Sequence, residues 1–167
     1  MKEIHFAAEV KKACDTFQCW YYKIPDAHTM ERFTPQKPFD AFIMYQGNFF
    51  ALEFKMSKMK NFQIDKIKEH QILGLEKAFL NGGFGAILIN FRMSEEKINR
   101  TFAITTEQWK KIIALEELAS RKSIPYSFFE DLKSKALVFE VERLHLGEPK
   151  KLHWHIEAML HHLRALQ

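Results

Sequence analysis

The sequence predicts an α/β fold in which a mixed central β-sheet is flanked by helices, and three observations support this prediction. Segments with the apolar repeat of a helix alternate with short apolar segments of strand length, in the order α, β, β, β, α, β, β, α, β, α. Two of the strands form a hairpin and are therefore antiparallel. A helix separates the strands predicted at 49–56 and 85–91, so we expect these two to be parallel, with a right-handed crossover.

The N-terminal half begins with an amphipathic segment whose apolar stripe predicts a helix over residues 3–17. A strand follows at 19–24, and three prolines predict a loop over 25–39. The hairpin "DAFIMYQGNFFALEFK" occupies residues 40–55 and is apolar almost throughout. A lysine-rich connection over 57–64 then leads into the second half of the chain.

The C-terminal half alternates helices and strands. An apolar stripe that ends in Asn-Gly-Gly predicts a helix over residues 65–80. The remaining predicted elements are strands at 85–91, 101–105 and 136–144, and helices at 106–118 and 154–166. Because the chain has 167 residues, we expect a single domain over residues 1–167, and the sequence contains no internal repeat and no low-complexity linker.

Composition and charge narrow the classes of function. The formal net charge of +4 and the isoelectric point near 9.0 favour a polyanionic partner. Cys14 and Cys19 have no second pair, which excludes a zinc ribbon and is typical of reduced thiols in a cytoplasmic protein. No apolar run approaches the roughly 18 residues of a membrane span. Glu3 and Glu9 interrupt the N-terminus, so we expect no signal peptide.

The hairpin carries three charged residues at one end of one face. With a two-residue turn at Gly47 and Asn48, Asp40 faces Lys55, and Glu53 lies diagonally across from Asp40 on the same face. Diagonal neighbours are roughly 7–8 Å apart, which allows the two carboxylates to bind one Mg²⁺ ion between them. The alternative is a plain ion pair between Asp40 and Lys55, but charges on a doubly apolar hairpin are costly unless they are paired or metal-bound.

Two further residues are candidates for this site. Gln71 falls within the inward stripe of the helix predicted at 65–80, and Gly74, beside it, permits a close approach to the sheet. Gln71 points either at the carboxylates or the attacking water, or is a core amide with its own partners. Glu9 borders the inward stripe of the first helix, where it is either a third carboxylate of the site or a solvated helix residue.

Basic residues follow the hairpin closely and recur later in the chain. A phosphate backbone beside a magnesium site requires such charges, whereas the alternative is a solvated loop. The candidates for DNA binding are Lys58, Lys60, Lys66, Arg121 and Lys122.

These residues resemble a known family. Asp40 followed by Glu53-Phe54-Lys55 resembles the PD-(D/E)xK nuclease core, which has a restriction-endonuclease-like fold. More narrowly, "DAFIMYQGNFFALEFKMSK" followed by "IKEHQILGL" resembles the RecU-type Holliday-junction resolvases, and "RKSI" at 121–124 resembles a basic stretch of the same proteins. The resemblance covers roughly residues 5 to 145.

The resemblance implies metal-dependent, structure-selective cleavage of four-way DNA junctions by a homodimer that makes paired symmetric nicks. By position, Asp40 and Glu53 match the metal ligands, with Glu9 as the acidic residue of the first helix. Lys55 matches the residue that positions the attacking water, and Gln71 a residue that supports the metal or the water. The implied cofactor is Mg²⁺, for which Mn²⁺ substitutes, and the implied compartment is the cytoplasm of a bacterium or a phage-infected host.

The sequence also departs from the family pattern. The proline expected beside the aspartate is displaced to Pro38, the loop 25–39 is shorter than the family's stalk, and the segment after residue 145 has no counterpart. Three alternatives therefore stay open: another PD-(D/E)xK nuclease of restriction or repair type, a non-catalytic DNA-binding module with this fold, and a structural protein with a fortuitous ion pair.

Overall fold

The computed structural model describes residues 3–25, 36–145 and 152–166, so most of the loop predicted at 25–39 lies outside the described residues. Its helices are α1 (Glu3–Thr16), α2 (Glu69–Leu80), α3 (Thr106–Ile113), α4 (Phe128–Ser134) and α5 (Ile156–Ala165). Its strands are β1 (Trp20–Lys23), β2 (Ala41–Tyr45), β3 (Asn48–Ser57), β4 (Asn61–Gln63), β5 (Phe84–Met93), β6 (Ile98–Thr105), β7 (Ser123–Pro125), β8 (Phe139–Val141), β9 (Arg143–His145) and β10 (Leu152–Trp154). Among these described residues, no helix has both the length and the apolar character needed to cross a membrane.

The predicted mixed sheet flanked by helices is confirmed. Six strands form the main sheet in the order β1-β2-β3-β5-β6-β8. The pair β3–β5 is parallel, as the intervening helix predicts, and the other pairs are antiparallel. Two small sheets, β4–β7 and β9–β10, lie outside it.

The register of the hairpin differs from the prediction by two residues. The turn is Gln46-Gly47, with φ of 49° and 75°, and Tyr45 pairs with Asn48. This is the positive-φ geometry of a tight hairpin turn, and the Asn48 side chain supports it by donating a hydrogen bond to the Gln46 carbonyl at 2.8 Å. The register therefore sets Asp40 opposite Glu53 rather than opposite Lys55. Because the shift is an even number of residues, every side chain stays on its predicted face.

The boundaries of several other helices and strands differ from the predicted ones, because short elements have only a weak periodic pattern in the sequence. The strand predicted at 136–144 is divided, since β8 joins the main sheet while β9 pairs with β10. The helix predicted at 65–80 begins only at Glu69, because Ile67 has the extended φ of −92° and ψ of 113°. The strands β4, β7 and β10 have three residues each and α4 has seven, and none of them was predicted.

Helices cover both faces of the sheet, which explains why its central strands are apolar on both sides. On the α1 face, which α1 and α5 cover, Phe6 and Leu160 pack with Leu52 and its neighbours. On the α2 face, which α2, α3 and α4 cover, Leu75 packs with Ala51 and its neighbours. Glu53 and Lys55 share the α2 face with Ala51, because residues two apart in a strand point to the same side.

Candidate active site

Asp40 directly precedes β2 and lies beside the edge of β3, just past the last residue pair between these two strands. The amide of Phe54 donates to Asp40 Oδ2 at 2.9 Å, so this carboxylate replaces the strand partner that β2 no longer provides. The other oxygen, Oδ1, pairs with Lys37 Nζ at 2.8 Å. Asp40 is therefore fixed beside Glu53, and its side chain remains partly accessible.

The carboxylate of Glu53 is fully buried, and its two oxygens differ in their hydrogen-bond partners. Its exposed fraction is 0%. Oε1 accepts hydrogen bonds from Lys55 Nζ at 2.7 Å and from Gln71 Nε2 at 2.5 Å, whereas Oε2 is buried and accepts none from the described residues. A buried carboxylate oxygen with no donor is costly, and a cation beside it would remove that cost.

The surroundings of Glu53 shift its titration. Burial raises the pKa of Glu53 most, the negative charge of Asp40 raises it further, and Lys55 lowers it, so that the pKa is about 7. The carboxylate is thus only partly ionised at neutral pH in the metal-free protein. A divalent cation at this position would favour the ionised form.

Gln71 lies in the first turn of α2 and joins that helix to the carboxylate. Its Oε1 accepts from the Lys68 amide at 2.9 Å, which orients the side-chain amide so that Nε2 donates to Glu53. Of the two alternatives for Gln71, the structure has the one in which its side chain points at the carboxylates, where it contacts Glu53. The positive end of the α2 dipole points to the same place.

Gly74 permits α2 to pack against the segment that leads into Asp40. A Cβ atom at Gly74 would overlap the backbone carbonyl of Pro38. The helix therefore contacts the chain two residues before Asp40, rather than only the sheet below it.

We expect Gly74→Ala to lower both stability and the nicking activity that the family resemblance implies. Because the added methyl group meets backbone, the chain must shift at Pro38, at a cost of about 1–3 kcal/mol in the free energy of unfolding. The same shift displaces Asp40 and should reduce nicking about tenfold. Thermal melts and cleavage rates measure these effects, with Leu73→Ala, on the exposed side of the same helix, as the control. Wild-type values for Gly74→Ala would contradict the close contact.

Glu9 is not brought to the other carboxylates. It lies on the α1 face, where its oxygens accept from Arg92 at 2.9 and 2.6 Å and from the Trp154 indole at 3.2 Å. Burial raises the pKa of Glu9, but the hydrogen bonds and charge of Arg92 outweigh it, and the pKa is lowered overall. Glu9 thus has a structural partner on the opposite side of the sheet from Glu53.

Glu3 is an acidic residue of α1 that sequence reasoning missed. Its Oε1 accepts from the Met56 amide at 3.2 Å. The Met56 amide lies two residues after the Phe54 amide, which donates to Asp40. Asp40 and Glu3 therefore accept from neighbouring amides on the same edge of β3, and these two amides are about 7 Å apart. A glutamate in the first turn of a helix is ordinary in sequence, and only the long-range contact distinguishes it.

The two predicted basic stretches come together on one surface. Pairing of β4 with β7 brings them into contact, with the Ile64 amide donating to the Lys122 carbonyl at 3.0 Å and the Tyr126 amide donating to the Lys60 carbonyl at 2.6 Å. Lys60 pairs with Glu96 at 3.1 Å. We call this region, beyond the C-terminal end of β3, the basic surface; its exposed members are Lys58, Lys60, Lys66, Arg121 and Lys122.

The residues around Glu53 fit a hard divalent cation. Mg²⁺ prefers oxygen ligands, commonly binds one or two carboxylates, and keeps several waters. Asp40 and Glu53 supply two carboxylates, one of them with a buried oxygen that has no donor. Within the part of the chain that the structure describes, no three His, Cys, Asp or Glu side chains group closely enough to bind a metal without further ligands.

Comparison with known proteins gives one family. The family model described as "Recombination protein U" matches residues 5–146. Among solved structures, the chain is similar to Hjc, a Holliday junction resolvase of the archaeal hyperthermophile Archaeoglobus fulgidus, with a TM-score of 0.47 and 16% identity over 77% of this chain and 88% of that chain. No curated protein has significant sequence similarity to the chain.

Proposed function

The chain belongs to the recombination protein U family of Holliday-junction resolvases, and we propose that Asp40 and Glu53 form its nuclease site with a bound Mg²⁺ ion. Family membership makes the protein a nuclease that resolves four-way DNA junctions. The observation that carries the site assignment is Glu53, which is fully buried and has one oxygen without a donor. Mn²⁺, which has similar ligand preferences, should substitute.

The residues of the site have separable roles in this proposal. A bound Mg²⁺ ion would lower the pKa of the attacking water and neutralise charge on the phosphate. Lys55 and Gln71 both donate to Oε1 of Glu53, which leaves Oε2 for the ion. The ammonium of Lys55 also positions the attacking water and stabilises the negative charge that develops on the phosphate. The oxygen of the attacking water forms a bond to phosphorus as the bond from phosphorus to the 3′ oxygen breaks. The 3′ oxygen takes up a proton from solvent, which leaves a 5′-phosphate and a 3′-hydroxyl.

DNA binding is assigned to the basic surface at the end of β3. Its lysines and arginine neutralise phosphates on one side of the carboxylates, so affinity should fall steeply with salt. We further propose that two copies of the chain form a homodimer, because paired nicks in a two-fold junction require two symmetric sites. We also propose that the protein acts in the cytoplasm of a bacterium or a phage-infected host, where it would meet its DNA substrate.

We infer that Glu3, rather than Glu9, is the residue of α1 that adds negative charge to the site. Glu3→Gln should weaken Mg²⁺ affinity about three- to tenfold, since one charge on the same strand edge is lost. Glu9→Gln should leave Mg²⁺ affinity unchanged and instead lower stability by about 1–3 kcal/mol, because Arg92 loses its charged partner. Calorimetric Mg²⁺ titrations and thermal melts of both variants measure this. The reverse pattern would restore Glu9 as the third ligand.

The proposed function is tested with an immobile four-way junction, each strand labelled in turn. With Mg²⁺ we expect paired, symmetric nicks in opposed strands of the junction, and with EDTA we expect binding without nicks. The matching linear duplex should not be cut. Equal cleavage of junction and duplex would favour a general PD-(D/E)xK nuclease, and junction binding without nicks in any divalent metal would favour a non-catalytic module.

A further inference from the structure

Two exposed aromatic side chains lie on the same face of the sheet as the carboxylates. Trp20 and Tyr22, on the edge strand β1, are 62% and 46% exposed. They are paired with Met44 and Phe42 of β2, which puts them on the α2 face beside the part of the sheet that α2 covers. Exposed rings of this kind mark a candidate interaction surface when they belong to a contiguous aromatic patch.

The rings support one another as a continuous row. The Phe42 ring is 5.5 Å from those of both Trp20 and Tyr22, and 5.2 Å from that of Phe49. Tyr22 and Phe49 are each tilted by 31° from Phe42, so three rings have similar orientations, whereas Trp20 stands edge-on at 88°. Phe42 and Phe49, which are half-buried, thus hold the two exposed rings in place. We call these four residues the aromatic row.

The aromatic row adjoins the site on the side away from the basic surface. Phe42 is two residues from Asp40, which directly precedes β2, so both side chains lie on the α2 face, about 7 Å apart. Along β3, Phe49 lies before Glu53, and Lys58 of the basic surface follows the end of the strand. A DNA strand that runs from the basic surface across the carboxylates therefore reaches the aromatic row within a few nucleotides of the cleaved phosphate.

We propose that the aromatic row stacks against an unpaired nucleobase at the branch of the DNA substrate. Bases inside a duplex are stacked on their neighbours and cannot reach a protein ring, whereas a branch point exposes bases to such contacts. The aromatic row would therefore favour branched DNA over duplex. This inference rests on the proposed function and names the part of the substrate that one surface binds.

A nucleobase is the expected ligand because the aromatic row is continuous with the proposed nuclease site and lies on the other side of that site from the basic surface. A protein partner or a second copy of the chain would also cover exposed rings, but neither would depend on the branch. Stacking of a base on an aromatic side chain contributes about 1–3 kcal/mol, so loss of one ring should weaken binding roughly 5- to 140-fold.

The test measures the affinity of full-length variants for junction and duplex in EDTA, where no cutting occurs. We expect Trp20→Ala and Tyr22→Ala each to weaken junction binding about tenfold and duplex binding less than twofold. Trp20→Phe, which keeps a ring, should retain most of the affinity. Phe79→Ala is the matched control, since Phe79 is 51% exposed but lies at the far end of α2. Thermal melts establish that each variant is folded.

A second readout places the contact directly. We expect 2-aminopurine at the branch to be less fluorescent in the complex with wild-type protein than in the complex with Trp20→Ala plus Tyr22→Ala, because stacking on a ring quenches it. The proposal would be overturned if the variants lost affinity equally for junction and duplex, or lost it for neither. It would also be overturned if they changed from dimer to monomer in sedimentation. Failure of wild-type protein to bind or cut junctions would instead contradict the proposed function, so the two failures are distinguishable.

Discussion

We expect Asp40→Asn to reduce magnesium-dependent nicking of a four-way junction by about 10³-fold or more, equivalent to about 4 kcal/mol of transition-state stabilisation. Asparagine has the same shape and keeps an oxygen that can accept from the Phe54 amide, so the strand edge should remain intact. The charge that binds the ion is lost, and Mg²⁺ binding in a calorimetric titration should disappear with it. Junction affinity in EDTA should change little, because the basic surface is untouched.

A spectroscopic signature accompanies this loss. The negative charge of Asp40 contributes to the raised pKa of Glu53, so Asp40→Asn should lower the pKa of Glu53 from about 7 toward its ordinary value. Carboxyl ¹³C chemical shifts followed across pH would measure it. If Asp40→Asn instead nicks junctions at the wild-type rate, Asp40 is only the partner of Lys37 and the strand edge.

We expect Lys55→Met to reduce nicking about 10²-fold or more and to move its pH dependence upward. Methionine keeps most of the buried apolar stem and removes the ammonium. In the wild type, Mg²⁺ binding at concentrations well below saturation should strengthen as the pH rises through about 7, because Glu53 must lose its proton to bind the ion, and nicking should follow it. Since Lys55 lowers the pKa of Glu53, its removal raises that pKa and shifts the rise to higher pH.

The pH series separates the two roles of Lys55. At pH 9, Mg²⁺ affinity of Lys55→Met should approach that of the wild type, while the nicking rate stays low because the ammonium is absent from the transition state. The matched control is Lys58→Met, on the exposed end of the same segment. Lys58→Met should weaken DNA binding modestly and leave the pH profile of nicking unchanged. The salt dependence of DNA affinity should fall by the equivalent of about one phosphate contact. A rate at pH 9 within threefold of the wild type would make Lys55 only a counter-ion of Glu53.

The sheet and the central residues of the site were predictable because they depend on local pattern. Alternation and turn chemistry place Asp40, Glu53 and Lys55 on one face whichever of the two registers the hairpin adopts, because a shift of two residues preserves the face. Gln71 was recognisable because a polar residue within an apolar stripe requires a partner. In the structure that partner is Glu53.

Features that depend on long-range pairing were not predictable. Nothing in the first turn of α1 indicates that Glu3 rather than Glu9 reaches the edge of β3, since both are glutamates on one helix and their neighbours differ only in three dimensions. The basic surface likewise depends on the pairing of β4 with β7, two strands too short to have a periodic signal. The turn at Gln46 required a non-glycine residue with positive φ, which sequence rules disfavour.

The most direct test of the nuclease site is anomalous X-ray diffraction from crystals soaked in Mn²⁺ near pH 8, where Glu53 is ionised. We expect an anomalous peak between the carboxylates of Asp40 and Glu53, within about 2.4 Å of Glu53 Oε2, and its loss in crystals of Asp40→Asn. A peak bound by Glu9, or no peak at Asp40 and Glu53 in a protein that nicks junctions with Mn²⁺, would contradict the assignment.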